Sequence, residues 1–433
     1  LSGAGAPTQR TPSRTDCGKP PEHTMHATIE GTAHVIAEGQ TFSAANATTH
    51  GTKSSRVSSE WFNRPADQRF LTLDALYEHT KHSADESRPF NVDVKTIKVE
   101  ARQDDPDRLA LVIPERARSG IIESTTEPTH WSFGQLCQLT SVPAGYLRKL
   151  PAPIAGINLQ YALANFRSEL VKAYVRVNGK TELRAATGPN YGRIADHEVV
   201  RAVQRIAGDG TGRDFAWKVP GLMDWSTMRY NPFVDITTET TTLFASDRDV
   251  FIFLVDDRHP IEIGKLPDGS PDLVFRGFYV WNSEVGSKTF GLAAFYLRGV
   301  CGNRCLWGIE GFKEITFRHS SGAPARFMSE IRPALESFSN RSTAALIAGV
   351  NAAKGAKVAA TPEEQGDFLR RRGFTEKQSS DIIGTVLKEE GHPPASVWDF
   401  VQGITACARK QGHQDERLEL ERKAGKILDQ VSR

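Results

Sequence analysis

Residues that could do chemistry concentrate in three stretches. Between Arg276 and Gly308 the sequence reads RGFYVWNSEVGSKTFGLAAFYLRGVCGNRCLWG, with Cys301 and Cys305 four apart around Gly302-Asn303-Arg304. Two thiolates supply half of a tetrahedral zinc site, and no second pair stands near to complete it. A redox dithiol ordinarily has two residues between its cysteines, not three. The spacing predicts instead a turn at Gly302-Asn303 that joins two strands and displays Arg304. In the second stretch, VDDRHP, Asp256, Asp257 and His259 cluster after an apolar run, where a divalent metal or an acid–base pair could form. A third well-spaced ligand is missing, so these are expected to be polar residues ending a buried strand.

The third stretch is ELVKAYVRVNGKTELRAATG, Glu169 to Gly188. Val171, Ala173, Val175 and Val177 alternate with Lys172, Tyr174 and Arg176, which predicts a strand with one apolar face and one cationic, aromatic face. Asn178-Gly179 marks a hairpin. A two-residue loop would set Lys180, Glu182 and Arg184 beside the valines, whereas an odd loop or a bulge aligns Val175 with Thr181 or Leu183. An odd loop or bulge is therefore expected, with Lys172, Tyr174, Arg176, Glu182 and Arg184 on the outer face. From Arg148 to Arg205, ten Lys or Arg stand against four Asp or Glu, a local +6 in a chain of net charge +2. Three of the chain's eight tyrosines (Tyr161, Tyr174, Tyr191) fall in the same window, and Tyr146 lies just before it. Cations spaced along a sheet with aromatics between them can track phosphates and stack unpaired bases. Lys172, Arg176, Arg184 and Arg193 are the expected phosphate contacts, Tyr174 and Tyr191 the expected stacking residues, and Arg304 a further expected nucleic-acid-binding residue. The plainer alternative is a solvated sheet face.

These residues must be positioned by a chain of 433 residues, 39% of them hydrophobic, which is long enough for two or three structural units. Residues 1–59, rich in Ser, Thr, Gly, Ala and Pro, lack apolar periodicity and are expected to be a disordered arm. Residues 60–323 are expected to form a mixed domain and 324–433 a helical one, so that the fold class is α+β, with a large, mostly antiparallel sheet and flanking helices. Phe70, Leu73, Leu76 and Tyr77 lie at helical spacing, and a second helix is predicted over 132–150, interrupted at Pro143. IKVEA and DRLALVIP read as strands. From about Gln160 to Ser320 the sequence is β-rich: VFIFLV reads as a central strand, and LVFRGFYVW, TFGLAAFYLRGV, RCLWGI and KEITFRH as an antiparallel meander. His319 closes the last of these on the face of Ile315 and Phe317, as a hydrogen-bonded, partly buried histidine. Thr361 with Glu364, Thr375 with Gln378 and Ser396 with Asp399 mark three helix starts. Residues 415–431 read as a charged amphipathic helix.

Five scattered cysteines do not make a disulfide framework, no run is long and apolar enough to cross a membrane, and no basic-then-apolar leader is visible. A cytoplasmic protein with reduced thiols and no membrane partner is expected. G-x-S-x-G, the phosphate-binding and dinucleotide-binding glycine motifs and H-E-x-x-H are all missing, so no cofactor is expected.

The order W-F-N-R-P-A-D-Q-R-F from Trp61, G-F-Y-V-W-N-S-E-V-G from Gly277, R-G-V-C-G-N-R from Arg298, F-R-H from Phe317 and V-W-D-F-V-Q-G-I-T from Val397 resembles the phage/plasmid-like proteins of unknown function (domain of unknown function 932). The resemblance covers Trp61 to the C-terminus and carries no assigned activity. It implies a mobile-element origin, encoded by a phage, prophage or plasmid. The leading expectation is a non-enzymatic nucleic-acid-binding accessory protein, preferring single-stranded DNA in recombination, annealing or replication, with homo-oligomerisation multiplying a shallow strip of charge. The alternative is a factor that binds a host protein through the helical domain, and a third is an enzyme using Asp256, Asp257 and His259 with a divalent metal.

Overall fold

The computed structural model describes residues 64–431 except 103, 106, 222–234, 267, 300–303, 306–314, 340–341 and 412–413. The described elements belong to one compact unit. In chain order they are β1 (Arg69–Phe70), α1 (Leu73–Asp85), β2 (Ser87–Asp93), β3 (Lys98–Ala101), β4 (Leu109–Ala117), β5 (Gly120–Pro128), α2 (His130–Leu139), α3 (Ala144–Leu147), α4 (Ala152–Asn165), β6 (Leu170–Asn178), β7 (Lys180–Thr187) and α5 (Asp196–Ala207). There follow β8 (Trp217–Lys218), β9 (Leu243–Ala245), β10 (Val250–Lys265), β11 (Pro271–Asn282), β12 (Phe290–Arg298), β13 (Arg304–Cys305) and β14 (Ile315–Phe317). The helices α6 (Ala323–Ser339), α7 (Ala344–Gly355), α8 (Pro362–Arg370), α9 (Glu376–Glu390), α10 (Val397–Arg409) and α11 (Gln414–Asp429) complete the chain. The fold is α+β, and none of the described helices is long and apolar enough to cross a membrane.

The larger sheet has the order β1-β9-β10-β11-β12-β13, with β8 beside β10 and β14 beside β12. Its centre is the expected meander. Successive residues of β10 point to opposite faces: Ile252 and Leu254 enter a core shared with α1, α5 and the C-terminal helices, while Phe251, Phe253 and Val255 join an aromatic layer with Tyr279 and Phe295 on the other. Because both faces are buried, the strands read as continuous apolar runs rather than as alternating ones. Gly277 and Gly291 stand directly opposite Phe295 and Trp281, and a Cβ at either would lie 2.2 or 1.9 Å from the facing ring. The small residue is what lets each ring lie across its neighbour strand.

The smaller sheet has the order β2-β6-β7-β5-β4-β3, with β5 and β7 parallel. One face packs on α2 and α4 through Leu111, Ile113, Phe133, Leu159, Val171 and Val175. Helix α5 departs from the β-rich reading of residues 160–320, and α4, most of which precedes that stretch, had no expected element. Helix α4 contains no charged residue, so no polar stripe marks it, whereas α5 buries Val199, Val200, Val203 and Ala207 along one face.

All three expected capping boxes are present, at Thr361, Thr375 and Ser396. Phe338, Leu346, Phe368, Phe400 and Leu428 share one core with the larger sheet. Polar contacts cross the same boundary: buried Arg298 on β12 pairs with Asp272 at 2.8 Å and with Glu390 of α9 at 2.9 Å.

Candidate functional site

The site grows from the 170–187 hairpin. Gly179 takes φ +68° at the tip, a left-handed conformation that glycine adopts without strain, and Asn178 pairs with Lys180 across it. Val175 pairs with Leu183, one of the two registers expected, and Tyr174 then pairs with Ala185, which leaves Arg184 as a bulged residue. Val171, Ala173, Val175 and Leu183 thereby face the smaller core.

The opposite face is not the solvated strip that the alternation suggested. It is covered by residues 282–285, the N-S-E-V turn that leaves β11, and Tyr174 and Arg184 are each only 4% exposed. The Arg184 guanidinium donates to Glu284 Oε1 at 2.5 Å and lies 5.0 Å from the Tyr174 ring. Arg193 stacks on Tyr174 at 3.9 Å, lies 5.3 Å from Tyr191 and donates to the Glu284 carbonyl. Lys172 Nζ donates to the Tyr191 carbonyl at 2.9 Å, and the Tyr191 hydroxyl donates to the Ser283 carbonyl at 3.0 Å. Tyr191 stacks on His319, whose Nδ1 meets the Gly192 carbonyl at 3.2 Å. Arg176 pairs with buried Glu182 at 2.5 Å. The residues singled out between 172 and 193 do gather, but as a cation–aromatic stack that joins the two sheets. Burial of the phenol pushes Tyr174 up to about 12, and burial pushes His319 down to about 4.

The remaining sequence candidates lie elsewhere. Arg304 is on β13, opposite Leu297 of β12, and residues 301–303 of the expected turn are outside the described residues. Asp256, Asp257 and His259 do not end a strand, because β10 runs on to Lys265 with a register shift between Asp256 and Ile261. Asp256 Oδ1 accepts the backbone N–H groups of Arg258 and His259, Asp256 Oδ2 meets His259 Nδ1 at 2.9 Å, and Asp257 pairs with Lys218 at 3.3 Å. These contacts shape a bulge. Among the described residues no three His, Cys, Asp or Glu side chains converge as metal ligands.

Where the hairpin meets α1 there is a cleft of about 440 Å³. Helix α1 contributes His79, Thr80 and Ser83, the hairpin Arg176 and Arg184, the start of α5 Asp196, and the turns after β9 and β11 Asp247 and Glu284. The volume is in the range of small-molecule sites, and the walls bring acids, bases and guanidinium groups together.

Asp196 is the unusual member. Its Oδ1 accepts from Asn282 Nδ2 at 2.7 Å, and its backbone N–H donates to Glu284 Oε2 at 3.2 Å. As the first residue of α5 it sits where the helix dipole favours an anion, an effect of about 0.3–1 kcal/mol. Burial, then the charge of Glu284, outweighs that and holds the Asp196 carboxyl well above the usual carboxylate range. Glu284, by contrast, has one oxygen on the Arg184 guanidinium and the other on the Asp196 N–H. Two neighbouring carboxyl groups thus sit in different settings, Glu284 clamped by a guanidinium and Asp196 hydrogen-bonded to an amide. Across the cleft, burial and the charge of Arg176 hold the His79 imidazole below its ordinary range.

His79, Asp196, Asn282 and Glu284 had not been singled out for chemistry. The sequence signal for two of them was the N-S-E-V segment itself, a polar run of residues 282–284 following the buried GFYVW strand. Nothing local links it to Asp196 or His79. Comparison of the chain with family models, with curated proteins and with solved structures finds no match.

Proposed function

We propose that the cleft binds a small polar molecule, of nucleoside size or less, and that Asp196 donates a proton to it. The observation that carries this reading is the Asp196 carboxyl, buried in the wall of the same cavity beside an arginine-clamped Glu284 and held well above the usual carboxylate range by that burial. The ligand class follows from the charges. Arg184 is matched by Glu284 and Arg176 by Glu182, so the cleft offers no net cationic field for a polyanion. It offers guanidinium donors beside the Asp67 and Asp247 carboxyls, a set that suits hydroxyl-rich or zwitterionic molecules.

A thermal-shift panel of nucleosides, sugars and amino acids at millimolar concentration tests the reading, with Arg176→Met as the control. Glu182 keeps Lys180 at 3.4 Å in that variant, so its buried carboxylate is not stranded. At least one class should raise the Tm of the native chain and not that of R176M. A panel that shifts neither protein, or both equally, contradicts the proposal.

The mobile-element resemblance carries no activity to transfer. Nucleic-acid binding, the expectation drawn from the basic window, requires cations that are not already engaged, and the 170–187 hairpin holds its cations in internal contacts.

A further inference from the structure

The neighbouring hairpin, β4–β5, does hold free cations, and we infer that its tip is an arm that enters a groove of double-stranded DNA. The two strands pair from Leu111 with Thr126 to Ala117 with Gly120. Strand β3 accompanies β4 only over Leu109 to Val112, and β7 meets β5 only at Glu127 and Pro128. Beyond Ile113 the hairpin backbone therefore hydrogen-bonds to no third strand over about 13 Å at the usual rise per residue, with Arg88 of β2 reaching its side at Glu115. A two-stranded ribbon is marginal by itself, and this one exposes an isoleucine on each face, Ile121 at 72% and Ile122 at 49%.

Charge selects the occupant. The ribbon's two acids are already matched by neighbouring strands: Glu115 with Arg88 at 2.7 Å and Glu123 with Lys98 at 3.3 Å. Arg116 and Arg118 are exposed and pair with no described residue, which leaves two unbalanced positive charges within three positions of the tip. Arg116 lies directly across from Ile121, so one face of the ribbon presents a guanidinium beside an apolar side chain. That combination fits phosphate contact plus an apolar contact to base edges or sugars. The major groove of B-form DNA admits a two-stranded ribbon, whereas the A-form major groove is too narrow. The sequence from Leu109 to Pro128 contains no aromatic residue on which unpaired bases could stack, which favours duplex over single strand.

The test is fluorescence anisotropy of the full chain with a labelled mixed-sequence duplex of about 20 base pairs at about 50 and 200 mM salt, alongside the single strand of equal length. Arg116→Ala with Arg118→Ala should weaken duplex binding at least tenfold at the lower salt and reduce the salt slope by about 2, one phosphate contact each. Ile121→Ser should weaken binding while leaving the slope unchanged. R176M, in the cleft, should leave both intact, which separates this proposal from the one above. No duplex binding at the lower salt overturns the inference, and so does tighter binding of the single strand. Binding that R116A/R118A does not alter overturns it too, as does an oligomer lost in I121S, which would mean that the arm docks on a second copy.

Discussion

In the 170–187 hairpin Lys172 holds the Tyr191 carbonyl, Arg176 holds Glu182, and Arg184 holds Glu284 under the ring of Tyr174. In the 109–128 hairpin the acids are the residues with partners, and Arg116 and Arg118 are left over. The difference follows from position in the sheet. Strands β6 and β7 lie between β2 and β5, and the turn after β11 covers Tyr174 and Arg184, so the charge buried there must be matched. The distal half of β4–β5 pairs with no third strand, and Arg116 and Arg118 on it are exposed, so their charges remain in water and available. A local excess of Lys and Arg in a sequence thus counts cations without saying which are free.

The largest effect that could break this comparison is on the buried pair. Arg184→Ala leaves the Glu284 carboxylate buried with only the Asp196 N–H, and should cost about 3–5 kcal/mol of unfolding free energy in urea titrations. A cost below about 1 kcal/mol, as for a surface ion pair, would mean that the stack is not internal. His319 comes next. Burial lowers its folded value to about 4 from an ordinary 6.5, so between those pH values the unfolded chain takes up a proton that the native chain refuses. Stability from this group is complete above about pH 6.5 and falls as the pH drops through the window, by about 3 kcal/mol. Unfolding curves at several pH values should show the loss, and His319→Gln should flatten it. Gly192→Ala probes the loop behind the stack: a Cβ there would lie 1.8 Å from the Ser320 carbonyl oxygen, a backbone clash that should cost about 1–3 kcal/mol by calorimetry. The smallest effect belongs to the other hairpin, where R116A/R118A should change stability by less than about 0.5 kcal/mol. A larger loss would show that those arginines are engaged after all.

How much of this was legible in the sequence depended on the range of the interaction involved. The capping boxes at Thr361, Thr375 and Ser396 are three-residue patterns and read correctly, as did the β10–β11–β12 meander, whose apolar runs are bounded by polar turns. Side-chain parity on the 170–187 hairpin narrowed Val175 to two partners, Thr181 or Leu183, and the structure has the second. Alternation assigns side chains to faces, however, and does not say what covers a face. The cover for Tyr174 and Arg184 comes from residues about a hundred positions later, at Glu284 and Val285. The cleft was illegible for the same reason, since His79, Asp196 and Glu284 meet only through the packing of two sheets. Helix α5 was different. The spacing of Val199, Val200, Val203 and Ala207 was present in the sequence, and reading the whole region as β-rich passed over it.

The cleft's central feature is a buried carboxyl held above the usual carboxylate range. The most direct measurement is a pH titration of the Asp196 carboxyl by carbon-13 NMR in aspartate-labelled protein, with Asp196→Asn to assign the signal. The account predicts a resonance that keeps its protonated shift well above pH 4, where the other aspartates have ionised. A signal that titrates at or below the ordinary aspartate value of about 3.9 would contradict it.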